Sequence, residues 1–89
     1  VKILAEPIDA VVTFKADGEG KPRPYKFRYK DKDFNYYEIK IGRIFSVEET
    51  RIAGIRSLVY KCSSVIRGVE KLYEIKYIIN ECRWELYKI

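Results

Sequence analysis

Residues 25–30 alternate strictly, with Tyr25, Phe27 and Tyr29 on one side and Lys26, Arg28 and Lys30 on the other. That is the period of a strand with one buried and one wet face. The same period recurs along the chain. In residues 8–14, Ile8, Ala10, Val12 and Phe14 alternate with Asp9, Val11 and Thr13. The pattern predicts six strands, over residues 8–14, 25–30, 35–45, 55–66, 71–79 and 83–88. Pro7 ends a short lead-in from Val1, and Gly42 marks a bulge or bend in the third strand. The segment 15–24 holds Asp17-Gly18, Gly20 and two prolines, so it reads as a loop. Residues 31–34 turn the chain. The polar segment 46–54 contains Ser46-Val47-Glu48-Glu49, which matches a capping box and predicts one helical turn. Arg67-Gly68 and Asn80-Glu81 suit tight hairpin turns.

These turns fix registers that can be checked against each other. Closing a hairpin on Arg67-Gly68 and the next on Asn80-Glu81 sets Tyr60 beside Ile75 beside Leu86. It also sets Leu58 beside Tyr77 beside Trp84, and Cys62 beside Tyr73 beside Lys88. One continuous apolar face results, and a one-residue slip would destroy it. A three-residue loop at 32–34 sets Tyr29 opposite Tyr37, Phe27 opposite Ile39 and Tyr25 opposite Ile41. Phe14 then faces Tyr25, and Val12 faces Phe27. Strands that are apolar on one face, with no long helix to cover it, must curl on themselves. The expected fold is all-β: about six antiparallel strands in meander order forming a small barrel or roll, with at most one helical turn near 46–54. Trp84, Leu86, Tyr60, Ile75 and Tyr77 are the expected core of its C-terminal half.

The 89 residues make one domain, 1–89, able to bury a modest core. No apolar run approaches the roughly 18 residues that cross a bilayer as a helix. No signal sequence is visible, so the expected location is cytoplasmic, with no membrane partner. Histidine is absent, which removes the commonest general acid–base group and metal ligand. Cys62 and Cys82 lack zinc-site spacing and read as two buried, reduced thiols. The register holds them about six strand residues apart, roughly 20 Å, too far to bond.

No catalytic constellation is evident, and the chain is not expected to be an enzyme or to hold a cofactor or metal. Ser46, Ser57, Ser63 and Ser64 have no histidine to activate them. Asp31-Lys32-Asp33 lacks the further ligands of a calcium loop. The segment 15–21 lacks the ending of a phosphate-binding loop. The carboxylate pairs read as solvated turns and strand exteriors.

Charge is the one functional signal. The net charge is +5, and the segment 21–30 alone holds five cations and no anion. Lys26, Arg28 and Lys30 project from the second strand, with Lys40 beside them on the third. Lys21, Arg23 and Arg43 extend the patch, and Tyr36 offers a stacking ring. Cations with an exposed ring on a curved sheet suit single-stranded nucleic acid. Two readings stand. One is a nucleic-acid-binding module that uses this face. The other is an accessory or assembly domain that docks on a protein through an apolar strand edge or face, its charges serving solubility. For the second, Tyr87, Ile89, Val59, Arg83 and Leu72 form the candidate patch.

Pro24-Tyr25-Lys26-Phe27-Arg28-Tyr29, Tyr73-Glu74-Ile75 and Arg83-Trp84-Glu85-Leu86 carry a resemblance to short uncharacterised bacterial all-β proteins. More distantly, the chain is similar to the β-rich C-terminal module of the polymerase-like subunit of bacterial error-prone repair machinery. The resemblance implies a cytoplasmic accessory domain near DNA metabolism. It transfers no functional residue.

Overall fold

The computed structural model describes residues 3–16 and 20–89. Val1, Lys2 and the Asp17-Gly18 turn signal lie outside the described residues. Among those described, seven antiparallel strands form: β1 (Ile3–Thr13), β2 (Arg23–Lys30), β3 (Tyr36–Lys40), β4 (Arg43–Ile52), β5 (Ile55–Ile66), β6 (Val69–Ile78) and β7 (Arg83–Lys88). A lone 3-10 turn spans Ile79–Glu81. The strand order is β3-β2-β1-β7-β6-β5-β4. Every chain neighbour except β3 and β4 is therefore a sheet neighbour, and β1 joins the two meanders by pairing with β7. The sheet curls into a half-barrel around one apolar core.

Two strands make the corners. β1 pairs with β7 over residues 3–8 and with β2 over residues 9–13. β3 and β4 run on through Ile41 and Gly42, the first paired with β2 and the second with β5. The Ile41 N–H donates to the Tyr25 carbonyl at 2.8 Å, and the next amide, Gly42 N–H, donates to the Ser63 carbonyl at 2.9 Å. Consecutive residues thus hand the chain from one surface to the other. A Cβ on Gly42 would lie 3.3 Å from the Ser63 oxygen, so glycine permits the close approach.

Ser64 secures this corner. Its Oγ donates to the Lys40 carbonyl at 2.6 Å. With that hydrogen committed, the Tyr73 hydroxyl, 2.6 Å away, donates to Ser64 Oγ. Ser64→Ala strips a partner from both groups and is expected to cost about 1–3 kcal/mol in urea unfolding. A loss below about 0.5 kcal/mol contradicts this role for the hydroxyl.

The core contains Phe27, Leu58, Tyr60, Cys62, Tyr73, Ile75, Trp84 and Leu86. Tyr60–Ile75–Leu86 and Leu58–Tyr77–Trp84 are adjacent rows, as the turns require. Arg67 and Gly68 both have positive φ, 53° and 78°, the mirror-image turn that matches strand twist. In the first meander Tyr29 faces Tyr37 and Phe27 faces Ile39, as expected. Tyr77 is half-buried against the core rather than within it.

Several expectations are corrected. Residues 46–54 form no helical turn: most of them belong to β4, which pairs with β5 along its length. The capping box is a local preference, and the Ala53-Gly54 turn overrides it by folding β4 onto β5. Both turn residues have positive φ, 53° and 81°. Pro7 does not end a lead-in but sits inside β1 opposite Glu85, on the stretch where β1 has no partner on its β2 side. Its missing N–H therefore breaks no ladder. Val12 pairs with Pro24, and Ala10 with Phe27. The face is the expected one, but the register differs by two residues at Phe27 and by three past the Tyr25 bulge. Phe14 is consequently exposed. Tyr25 is the extra residue of a bulge and also points outward. Lys88 pairs with Glu74 rather than Tyr73 because a bulge intervenes before Ile75. Cys62 is buried, but Cys82 is exposed, held at φ 52° after the 3-10 turn.

Candidate nucleic-acid interface

The β2–β3 hairpin builds the face on which the sequence-predicted cations meet. Alternation on β2 sends Phe27 and Tyr29 inward and Lys26, Arg28 and Lys30 outward. The register then sets Lys26 opposite Lys40, Arg28 opposite Glu38 and Lys30 opposite Tyr36. Lys26, Arg28, Lys30, Tyr36 and Lys40 therefore share one outer surface. A shallow groove of about 250 Å³ crosses it between Asp9, Lys26, Arg28 and Glu38.

Two of these cations are committed to exposed ion pairs. Lys26 Nζ lies 3.0 Å from Glu38 Oε1, and Arg28 Nη2 lies 2.8 Å from Asp9 Oδ2. Such pairs contribute little to stability and open readily to a competing anion. Arg23, Lys30, Lys40 and Arg43 form no salt bridge among the described residues.

The remaining predicted residues fall at the margins. Arg23 heads β2, and Arg43 lies beyond the Gly42 corner on β4. Lys21 lies toward Glu49 on β4. The Glu49 carboxyl is held below its usual range first by the Arg56 guanidinium and also by Lys21.

Exposed rings accompany the cations. Arg28 lies 5.0 Å from the Tyr36 ring centre, and Lys30 lies 4.8 Å from that of Phe34. Arg23 sits 5.8 Å from Tyr25, and Arg43 sits 5.2 Å from Phe45. All four rings are about half exposed or more, Phe34 at 73%. Tyr25 and Phe34 extend the aromatic surface beyond the single ring, Tyr36, expected there, whereas Phe45 stands with Arg43 on β4, past the Gly42 corner.

Tyr25 and Phe45 point outward because each is the extra residue of a bulge. Phe34 ends a three-residue hairpin loop at φ 63°. Glycine is the usual residue at such a position, and an aromatic there is strained. The Asp31 carboxylate fixes the loop. It accepts from the Asp33 and Asn35 amides at 2.8 and 3.0 Å and from the Tyr37 hydroxyl at 3.0 Å. The Asn35 amide is the main cause holding this carboxyl below its usual range. A non-glycine third loop residue was the sequence signal for Phe34. Bulges leave no comparable mark.

The apolar patch predicted on the other surface is partly assembled. Leu72 and Ile89 join Phe45 around a cavity of about 330 Å³, flanked by Lys61 and Lys88. Val59, Arg83 and Tyr87 do not line it. Among the described residues, no three Asp, Glu or Cys side chains gather as metal ligands, and no helix is long and apolar enough to cross a membrane.

Fold and surface together define a small all-β half-barrel with a cationic, aromatic outer face. No protein-family model, curated protein or solved structure matches the chain.

Proposed function

We propose that the domain is a non-catalytic module that binds single-stranded nucleic acid across the outer face of β2 and β3. The observation that supports this is the pairing of exposed rings with cations, above all Phe34 and Tyr36 beside Lys30 and Arg28. Bases stack on aromatic faces whatever their sequence, and neighbouring cations meet the phosphates. A solubilising face needs lysines but has no use for a strained phenylalanine at its tip. The similarity to repair-subunit modules, a bacterial origin and a cytoplasmic, DNA-associated role belong to the same proposal. The rival reading, docking on a protein partner, draws on the apolar cavity at Phe45, Leu72 and Ile89.

The test is titration of fluorescent single- and double-stranded oligonucleotides at several salt concentrations. Single strands should bind more tightly, with a log–log salt slope near −0.7 per phosphate contact. Phe34→Gly separates the ring's role from the fold's. Removing the positive-φ strain should raise stability by about 1 kcal/mol. Losing the stacking surface should weaken single-strand binding by about fivefold or more. No binding at low salt overturns the proposal, and unchanged binding by Phe34→Gly removes that ring from the interface.

A further inference from the structure

The half-barrel is open along one seam. Past the Gly42 corner, β3 leaves β5 to pair with β2, and β5 continues without it. The ladder between β4 and β5 ends at Arg43 and Ser63, so Ser64, Val65 and Ile66 pair only with β6. Between the diverging strands lies the largest cavity described, about 920 Å³. All five residues of β3 line it, inward-facing and outward-facing alike. Only a strand edge presents both faces to one cavity. Facing them are Val65, Ile66 and Val69.

Among the described residues, no strand pairs with this edge of β3. Asp31 N–H bonds to Asn35 and Ile41 N–H bonds to Tyr25, so alternate residues between them, Tyr37 and Ile39, point their amides at β2. Tyr36 and Glu38 therefore point theirs into the cavity. The Lys40 carbonyl points the same way and is capped by Ser64 at the closed end of the seam. Two features that natural sheets use to blunt an edge, proline and strong twist at a bulge, are both absent from β3.

Charge selects the occupant. The charged side chains lining the cavity are Lys40, Arg67, Lys71 and Glu38. Glu38 is already paired with Lys26, and the three cations form no salt bridge among the described residues. We infer that this seam is a strand-addition site for an extended acidic peptide. The peptide's backbone pairs with β3 at Tyr36 and Glu38. Its aliphatic side chains meet Ile39, Val65 and Val69, and its carboxylates meet Arg67 and Lys71. The site uses the edge of β3, whereas the proposed nucleic-acid site uses its outer face, so either can stand without the other.

The test uses the intact domain and a fluorescein-labelled, acetylated heptapeptide alternating glutamate with valine. Binding is read by anisotropy and by hydrogen exchange at the Tyr36 and Glu38 amides. The expected dissociation constant is about 10–100 μM, with both amides slowed by about tenfold or more. Two control peptides should bind at least about tenfold more weakly: one with lysine for glutamate, one N-methylated at alternate residues. Arg67→Glu combined with Lys71→Glu should weaken the acidic peptide by about tenfold or more and leave the lysine peptide no weaker. The inference is overturned by equal binding of either control, by binding that leaves both amides unprotected, or by no binding at about 1 mM peptide. Occupation of the seam by nucleic acid, seen as oligonucleotide displacing the peptide while the amides stay unprotected, also overturns it. So does a stable dimer of the free protein in which those amides are already protected.

Discussion

Trp84→Ala is expected to remove about 3–5 kcal/mol of stability, the range for deleting a large aromatic from a core. Trp84 is 7% exposed and lies in a cross-strand row that runs from Ile8 through Trp84 and Tyr77 to Leu58. It pairs with Ile8 of β1 on one side and with Tyr77 of β6 on the other. Its ring stacks on Tyr77 at 4.7 Å between centroids and lies 5.3 Å from Tyr60. β1 holds the two meanders together only through this pairing with β7, so the cavity would open at the junction of both. Small domains have about 5–15 kcal/mol in total, so the variant should lose about a fifth or more of it. The melting midpoint should fall by about 12 °C or more for a domain of this size. Guanidinium unfolding checks the value directly. A cooperatively folded variant within about 1 kcal/mol of the parent would show that the two meanders do not depend on this ring.

The parts of the fold legible in the sequence are those whose register a short turn dictates. Arg67-Gly68 leaves one way to pair β5 with β6, and the rows of Tyr60 and Leu58 follow from it. The loop before β2 is long and imposes no such constraint. Burial alone fixed which side of β1 faces inward, and the register came out two residues away at Phe27, the smallest shift that preserves the face. β4 was hidden for a different reason. Its Ser46-Val47-Glu48-Glu49 segment prefers a helix start locally, and only pairing with β5 makes it a strand. The outward cations of β2 were legible from alternation. The rings beside Arg23 and Arg43 were not, because bulges at Tyr25 and Phe45 break the alternation that sequence reading relies on. The seam beside β3 depends on where one continuous strand changes partner, which no local pattern records.

Raising the pH above about 9 is expected to unfold the domain progressively, with Cys62 as the first cause. The Cys62 side chain is 1% exposed, and its thiol donates to the Tyr60 carbonyl at 3.6 Å. Burial pushes this thiol up from 9.0 to about 12. Burial likewise pushes Tyr73 up from 10.0 to about 12, and raises Tyr60. A group whose folded pKa lies above its unfolded value stabilises the fold fully below the unfolded value. That stabilisation is lost as pH rises toward the folded value, because the unfolded chain releases its proton first. For Cys62 the window runs from about pH 9 to about pH 12. The loss from this thiol alone should be about 1 kcal/mol between pH 9 and 10, and about 2.5 kcal/mol by pH 11. Tyr73 adds to it above about pH 10. The cysteine contributes most between pH 9 and 10, since the tyrosines of the unfolded chain reach half-ionisation only at the top of that interval and the lysines above it. Urea midpoints measured at pH 7, 9 and 10 on the parent and on Cys62→Ala test the argument. The variant starts lower, because it leaves a cavity, but its midpoint should fall less than the parent's between pH 9 and 10. Parallel slopes would show that some group other than the buried thiol drives the loss.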